Sequence, residues 1–304
     1  MPTSEKSTAT PRSQALLLLA VTAVMWSLGG LLIKSIDLNP LAVTGVRSAI
    51  AALVILAFVP RPKFTWSKRQ VGAAVAYAAT AIFFVAANRF TTATNAIMLM
   101  FTAPIYVALL SQRFLKEKTT STDLVVICTT LGGMTLFFLD YLGPSGVFGN
   151  VLAMLGGIAF AGFTILMRLQ KDGSPLESVL LGNVITALIG IPFLVGRMPS
   201  APDWPPLLLL GVVQLGLPYV LYSRAIKHVS ALDAILVPVL EPLLSPMWVF
   251  LMLGETPGSW AAVGAMVILV SATFRYLGPL LKGRTIFERT SSPLSSVSSA
   301  KLRR

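Results

Sequence analysis

One stretch restricts the fold of this chain more than any other: residues 231–255, ALDAILVPVLEPLLSPMWVFLMLGE. It is almost wholly apolar and about 25 residues long, enough for a tilted helix to cross a bilayer. Pro238, Pro242 and Pro246 recur along it every four residues. Each removes a backbone donor from one helix face, which an apolar surrounding tolerates only where protein or water satisfies the freed carbonyls. Between the first two stands Glu241, the only acidic residue in the central part of any apolar stretch. A carboxylate at that depth costs roughly 2.5–3.5 kcal/mol even on a lenient insertion scale, so it faces an interior rather than lipid.

The stretch has a partner. Moved back by 138 positions it falls without a gap on 93–117, ATNAIMLMFTAPIYVALLSQRFLKE. Ala93, Ala96, Ile97, Pro104, Leu115 and Glu117 then meet Ala231, Ala234, Ile235, Pro242, Leu253 and Glu255, with Asn95 against Asp233 and Ala103 against Glu241. Apolar residues match by chance. Prolines and terminal glutamates in one frame point to a duplicated unit. Fainter echoes extend it: Trp26 and Lys34 against Phe160 and Arg168, then Pro40, Ala52 and Leu53 against Pro175, Ala187 and Leu188.

The composition is that of a membrane protein: 55% hydrophobic, 12% charged, with a mean hydropathy of +0.79. Ten spans are expected, near 14–34, 40–60, 70–90, 93–113, 120–141, 147–170, 176–198, 205–227, 231–253 and 259–281, separated by Pro- and Gly-marked linkers. They form a first repeat over 14–141 and a second over 147–281. Ser- and Thr-rich tails, 1–13 and a basic 282–304, are expected to be disordered. The net charge of +12 would suit nucleic acid, but its distribution argues otherwise. With both ends in the cytoplasm, only Lys34, Arg89 and Arg197 of the 24 basic residues face outward, and only Arg47 stays within a span. Five spans per copy is an odd number, so the second copy is inverted. Inverted repeats are an architecture of secondary transporters, with the cargo site near the midplane between copies.

Those residues bring a family into view. Two sets of five spans, a proline within the fourth and ninth and a glutamate closing each, resemble the EamA-type branch of the drug/metabolite transporter superfamily. Val239-Leu240-Glu241-Pro242 is similar to the second-half signature. Tyr222, Ala225, Lys227 and Ser230 are similar to the link between the eighth and ninth spans, and Arg47 stands where the second span often carries arginine. The resemblance covers about residues 14–281. It implies a ten-helix, all-α carrier of the bacterial inner membrane that exports amino acids, aromatic ones included, or other small metabolites or drugs with proton exchange. It implies alternating access around a central cavity, with no cofactor and no catalysis.

In such proteins the cavity is lined by the third, fourth, eighth and ninth spans with parts of the first and sixth. Here these carry Trp26, Tyr77, Phe84, Asn88, Asn95, Met98, Phe101, Phe160, Phe163, Gln214, Tyr219, Tyr222, Glu241 and Trp248. Phe83 and Tyr106 share those helices, and aromatics in spans more often pack or face lipid than bind. The polar members weigh more, because each must find a partner in hydrocarbon. Glu241 suits a proton, a cargo ammonium, a charge pair with Arg47, or backbone freed by the prolines. Pro104, Pro238, Pro242 and Pro246 are candidate hinges. Arg224 and Asp233 read as an interfacial pair, while Gly157, Ala161 and Gly162 suit close helix packing.

Other classes find little support. His228 is the only histidine and lies at a membrane edge, and the lone Cys128 sits in an apolar span, so a metal site is not expected. No buried nucleophile and base suggest an intramembrane enzyme. No phosphate-cradling loop with its lysine suggests an ATPase. A channel or a non-transporting membrane protein is the more distant alternative. A single deep cation argues against phosphorylated cargo and for a neutral, zwitterionic or aromatic one. The expected partners are that cargo and the lipid bilayer, with the chain a monomer or weak homodimer.

Overall fold

The computed structural model describes residues 11–139, 146–253 and 259–281, which are helical with no strand among them. The first apolar segment forms α1 (Pro11–Trp26) and α2 (Gly29–Lys34), and the next two form α3 (Pro40–Phe58) and α4 (Lys68–Phe90). The fourth divides into α5 (Ala93–Met100) and α6 (Ala103–Phe114). There follow α7 (Ser121–Leu139), α8 (Val147–Arg168) and α9 (Pro175–Gly190), the last running on into a 3-10 turn, Ile191–Leu194. A π-helical segment, Leu210–Gly216, joins α10 (Trp204–Leu209) to α11 (Leu217–Ala225). The stretch at 231–253 becomes α12 (Ala231–Leu236), a 3-10 turn at Val237–Val239 and α13 (Leu240–Leu253), and α14 (Ser259–Leu281) closes the bundle.

Among the described residues, seven helical stretches are long and apolar enough to cross a membrane: Pro11–Lys34, Pro40–Phe58, Lys68–Phe90, Asn95–Phe114, Val147–Arg168, Pro175–Leu194 and Ala201–Ala225. Ser121–Leu136 and Ala262–Arg275 are shorter apolar helices. The chain is a multi-pass membrane protein. Residues 11–13, expected in the N-terminal tail, are instead the first turn of α1, because Pro11 suits a helix start. The remainder of that tail, the tail at 282–304, Gly143, Glu255 and Gly258 lie outside the described residues.

The continuous helix expected over 231–253 is not what forms. It breaks at Val237–Val239, as the first segment breaks after Trp26 and the fourth after Met100. The causes are local. Pro238, Pro242 and Pro104 supply no backbone donor, and Pro218 cannot donate to Gln214, so the eighth segment widens there into a π-helix. Short polar side chains answer part of the deficit. Ser27 donates to the Val24 carbonyl at 2.6 Å and Thr102 to that of Leu99 at 2.8 Å. Ser245 reaches the carbonyls of both Ser27 (3.0 Å) and Glu241 (3.2 Å), sewing the first broken helix to the ninth.

The duplication reappears as structure. Thr92 caps α5 by accepting the Asn95 N–H at 3.1 Å, and Ser230 caps α12 by accepting the Asp233 N–H at 3.0 Å. These pairs lie 138 residues apart, as do Phe101 and Val239, where the two helices break. Neighbour relations repeat as well: α4 lies on α8 as α11 lies on α1, and α9 on α4 as the π-helical segment lies on α3. The pairs α3–α9 and α7–α14 join the two halves directly.

At α3–α9 the helices meet backbone to backbone. A Cβ on Gly190 would stand 2.4 Å from the Gly45 Cα and 2.8 Å from the Leu41 carbonyl oxygen. Gly157 makes a similar approach to the Met100 carbonyl, at 2.6 Å. Gly162, expected to do the same, does not: a Cβ there would meet nothing within 4 Å among the described residues. Gly190→Ala is therefore expected to cost about 1–3 kcal/mol through overpacking, and Gly162→Ala to cost nothing. Thermal unfolding in detergent checks this; equal midpoints for both variants would refute the close α3–α9 packing.

Candidate functional site

The four interrupted segments converge on one interior cavity of about 40 Å³, lined by Trp26, Arg47, Thr80, Ala81, Phe84, Met100, Phe101, Phe160, Gln214, Leu215, Tyr219 and Glu241. It has room for only a few water molecules, so this conformation holds no cargo-sized space. Of the residues singled out in the sequence, Trp26, Phe84, Phe101, Phe160, Gln214, Tyr219, Glu241 and Arg47 line it. Thr80, Ala81, Met100 and Leu215 were not singled out, since nothing distinguishes an alanine, a methionine or a leucine from packing residues in an apolar helix.

The other expected site residues lie elsewhere. Tyr77, Phe163 and Tyr222 form an aromatic layer with three of the cavity walls. Tyr77 meets Tyr219 at 4.8 Å and Phe163 at 5.5 Å, and Trp26 meets Tyr222 at 5.6 Å, Tyr219 at 5.1 Å and Phe160 at 5.7 Å between ring centroids. Two hydroxyls in this layer are satisfied: Tyr77 donates to Asn183 Oδ1 at 3.0 Å, and Tyr222 shares a 2.9 Å bond with Thr164. Asn88 turns back to the Phe84 carbonyl, and Asn95 donates to Thr91 Oγ1 at the start of α5. Met98 is buried in the core. Trp248 donates its indole N–H to Ser27 Oγ at 2.8 Å, bracing the break in the first helix. These seven do not line the cavity, because each is drawn into a packing or backbone role. The candidate hinges flank the breaks: Pro104 opens α6, Pro238 lies in the 3-10 turn, Pro242 starts α13, and Pro246 lies further along it.

Arg47 is 1% exposed and Glu241 7%. The charge pair expected between them is not formed. Arg47 donates instead to Gln214 Oε1 at 3.1 Å and the Ala81 carbonyl at 3.4 Å, with Phe84 beneath it at 6.0 Å. Its Nε has no partner. The π-helical turn carries Gln214 to the guanidinium, and the bare Gly29 gives the amide room, since a Cβ there would stand 2.8 Å from Gln214 Nε2. Among the described residues the Glu241 carboxylate has neither an ion pair nor a hydrogen bond.

At one end of the bundle the two halves are tied by charge. Asp233, its side chain 3% exposed, accepts from Arg12 at 3.0 Å and Arg275 at 2.8 Å, and Arg275 also pairs with Asp123. Beside it Glu117 pairs with Arg168 at 2.8 Å and accepts the Ala231 N–H at 2.9 Å, while Arg168 donates to the Ile226 and Lys227 carbonyls. The expected Arg224–Asp233 pair is absent: Arg224 lies over the Phe58 ring, and two arginines from distant segments occupy Asp233. At the other end Asp37 meets Arg197 at 3.0 Å and Arg89 at 3.4 Å in the open. The hydrogen bond and charge of Arg197 hold the Asp37 carboxyl below the usual carboxylate range.

These features define a class, a membrane protein of two similar halves closed around a small central cavity. Sequence comparison supplies the family. The model of the EamA-like transporter family matches twice, over residues 13–139 and 147–277. The chain belongs to that family, within the drug/metabolite type of transporter, and is a membrane transporter. An uncharacterized transporter of Archaeoglobus fulgidus is 26% identical over 254 residues, 83% of this chain and 92% of its own. One from Bacillus subtilis is 24% identical over 277 residues, 84% and 88% of the two chains. A solved crystal structure shares the fold, with a TM-score of 0.73 at 19% identity over 89% of this chain and 99% of that one.

Asp233→Ala is expected to take from Arg275 one of the carboxylates it pairs with and to lower stability by about 1.5–3 kcal/mol, the usual worth of a hydrogen bond to a charged group. Asp37→Ala, at an exposed pair, is expected to change nothing measurable. Thermal unfolding of both variants checks the contrast, and equal effects would show that the Asp233 network does not hold the halves together.

Proposed function

We propose that this transporter is a secondary carrier that exports small metabolites by alternating access, most of all amino acids with aromatic or bulky apolar side chains. The observation that carries the reading is the cavity wall: Trp26, Phe84, Phe101, Phe160 and Tyr219 surround only two charged side chains. Aromatic faces offer large apolar area and offset ring stacking to a flat side chain. A lone guanidinium offers too little positive charge for a phosphate ester. Ligand pockets hold about 300 Å³ or more, so loading requires a conformation wider than this one. The broken helices give the segments joints about which to move.

The excess of Lys and Arg on alternate linkers supports a bacterial inner-membrane orientation with both termini in the cytoplasm. The end tied by Asp233 and Glu117 then faces the cytoplasm, and the conformation described is closed on that side. Export would begin when those pairs part.

Two experiments test this. In proteoliposomes, tryptophan or phenylalanine is expected to drive counterflow and to compete with labelled cargo, and a sugar phosphate is not; the reverse ranking would overturn the cargo class. Reporters fused after Lys68, Lys116, Lys171 and Lys282 are expected to read cytoplasmic, and one near Gly143 or Gly258 external. A cytoplasmic reading at Gly258 would contradict the inverted arrangement.

A further inference from the structure

The cavity contains an arrangement that proteins ordinarily avoid. Arg47 and Glu241 are both buried and line the same small space, yet neither has an ion-pair partner among the described residues. Buried charges normally pair, since an unpaired one loses hydration without return. Here the guanidinium rests on a neutral amide, a long bond to a backbone carbonyl and a ring face, with Nε left over. The carboxylate has no donor among the described residues. Arg47 comes from α3 and Glu241 from the first turn of α13, so the gap between them is set by two different segments.

We infer that Arg47 and Glu241 are the two poles of one cradle, which recognises a cargo by carrying both a carboxylate and an ammonium on a single molecule. This rests on the reading of the cavity as the cargo site. The cargo carboxylate takes the place of Gln214 Oε1 on Arg47, because a charged acceptor bonds a guanidinium more strongly than a neutral amide does. With Nη2 beside Nη1 it can make the two-point, end-on contact that arginine's fork favours. The ammonium binds Glu241. The aromatic wall between the poles takes the side chain.

The cradle also explains what is refused. An amine without a carboxylate leaves Arg47 on its weak partners and sets a second cation near it. A carboxylic acid without an amine does the same to Glu241. Either lacks one charge-assisted contact and gains a repulsion, so each binds about tenfold or more weakly than the zwitterion.

The test uses the full-length protein in liposomes and three molecules sharing one ring: L-phenylalanine, 2-phenylethylamine and 3-phenylpropanoate. Each competes with labelled phenylalanine in counterflow. The wild type is expected to prefer phenylalanine over both others by about tenfold or more. Arg47→Met is expected to invert the preference toward the amine, and Glu241→Gln toward the acid. A general structural role for either residue would weaken all three competitors alike, so the crossed pattern is specific. The wild-type ranking stands as a test even where a variant fails to fold. Phenylalanine counterflow with equal competition from the amine or the acid overturns the two-pole cradle alone. No phenylalanine counterflow at all overturns the amino-acid reading and the cradle with it.

Discussion

A helix broken within an apolar slab must find new partners for the backbone groups it frees, and most of what distinguishes this bundle follows from that requirement. The breaks after Trp26 and Met100, the 3-10 turn at Val237–Val239 and the π-helix at Leu210–Gly216 all border the same cavity. Each leaves carbonyls or amides that hydrocarbon cannot satisfy. Ser27, Thr102 and Ser245 supply some of the missing bonds, and Ser245 and Trp248 join the first segment to the ninth through Ser27. The cavity lies where the helices are interrupted. That is where a cargo can be met without exposing backbone to lipid.

The second consequence is electrostatic. The π-helical turn aims Gln214 at Arg47, so the deep cation is solvated by an amide and a carbonyl dipole rather than neutralised by a carboxylate. Glu241 lines the same cavity with neither an ion pair nor a hydrogen bond among the described residues. Another buried carboxylate, Asp233, is treated in the opposite way, locked between two arginines at the end of the bundle. One group of charges holds the halves together. The other remains available to a ligand.

Much of this was legible in the sequence, and the limits were physical. Hydropathy and prolines disclosed the apolar segments, and the offset between Pro104 and Pro242 disclosed the repeat, because duplicated caps and breaks need duplicated residues. Thr92 and Ser230 show why: each caps the helix that its copy also starts. The break after Trp26 was not read, although Ser27 followed by Gly29 and Gly30 is the local signal for one. Half of the expected cavity residues lie elsewhere, since composition names the helix but not the face it turns inward. Tyr77, Phe163 and Tyr222 pack beside the cavity, Asn88 bonds a backbone carbonyl and Asn95 the Thr91 hydroxyl. The partners of Arg47 and Asp233 were misjudged for a related reason: which side chain reaches a buried charge depends on how distant segments cross.

The central claim is that two halves rock about these breaks, parting the charged end to load the cavity. It is tested most directly by distances across that end in liposomes. With the exposed Cys128 replaced by serine, spin labels at Lys118 and Lys227 report on opposite halves by pulsed electron paramagnetic resonance. The account predicts two populated distances, a short one for the closed end described here and a longer one, with phenylalanine shifting the balance between them. A single distance, unchanged by phenylalanine at saturating concentration, would contradict it.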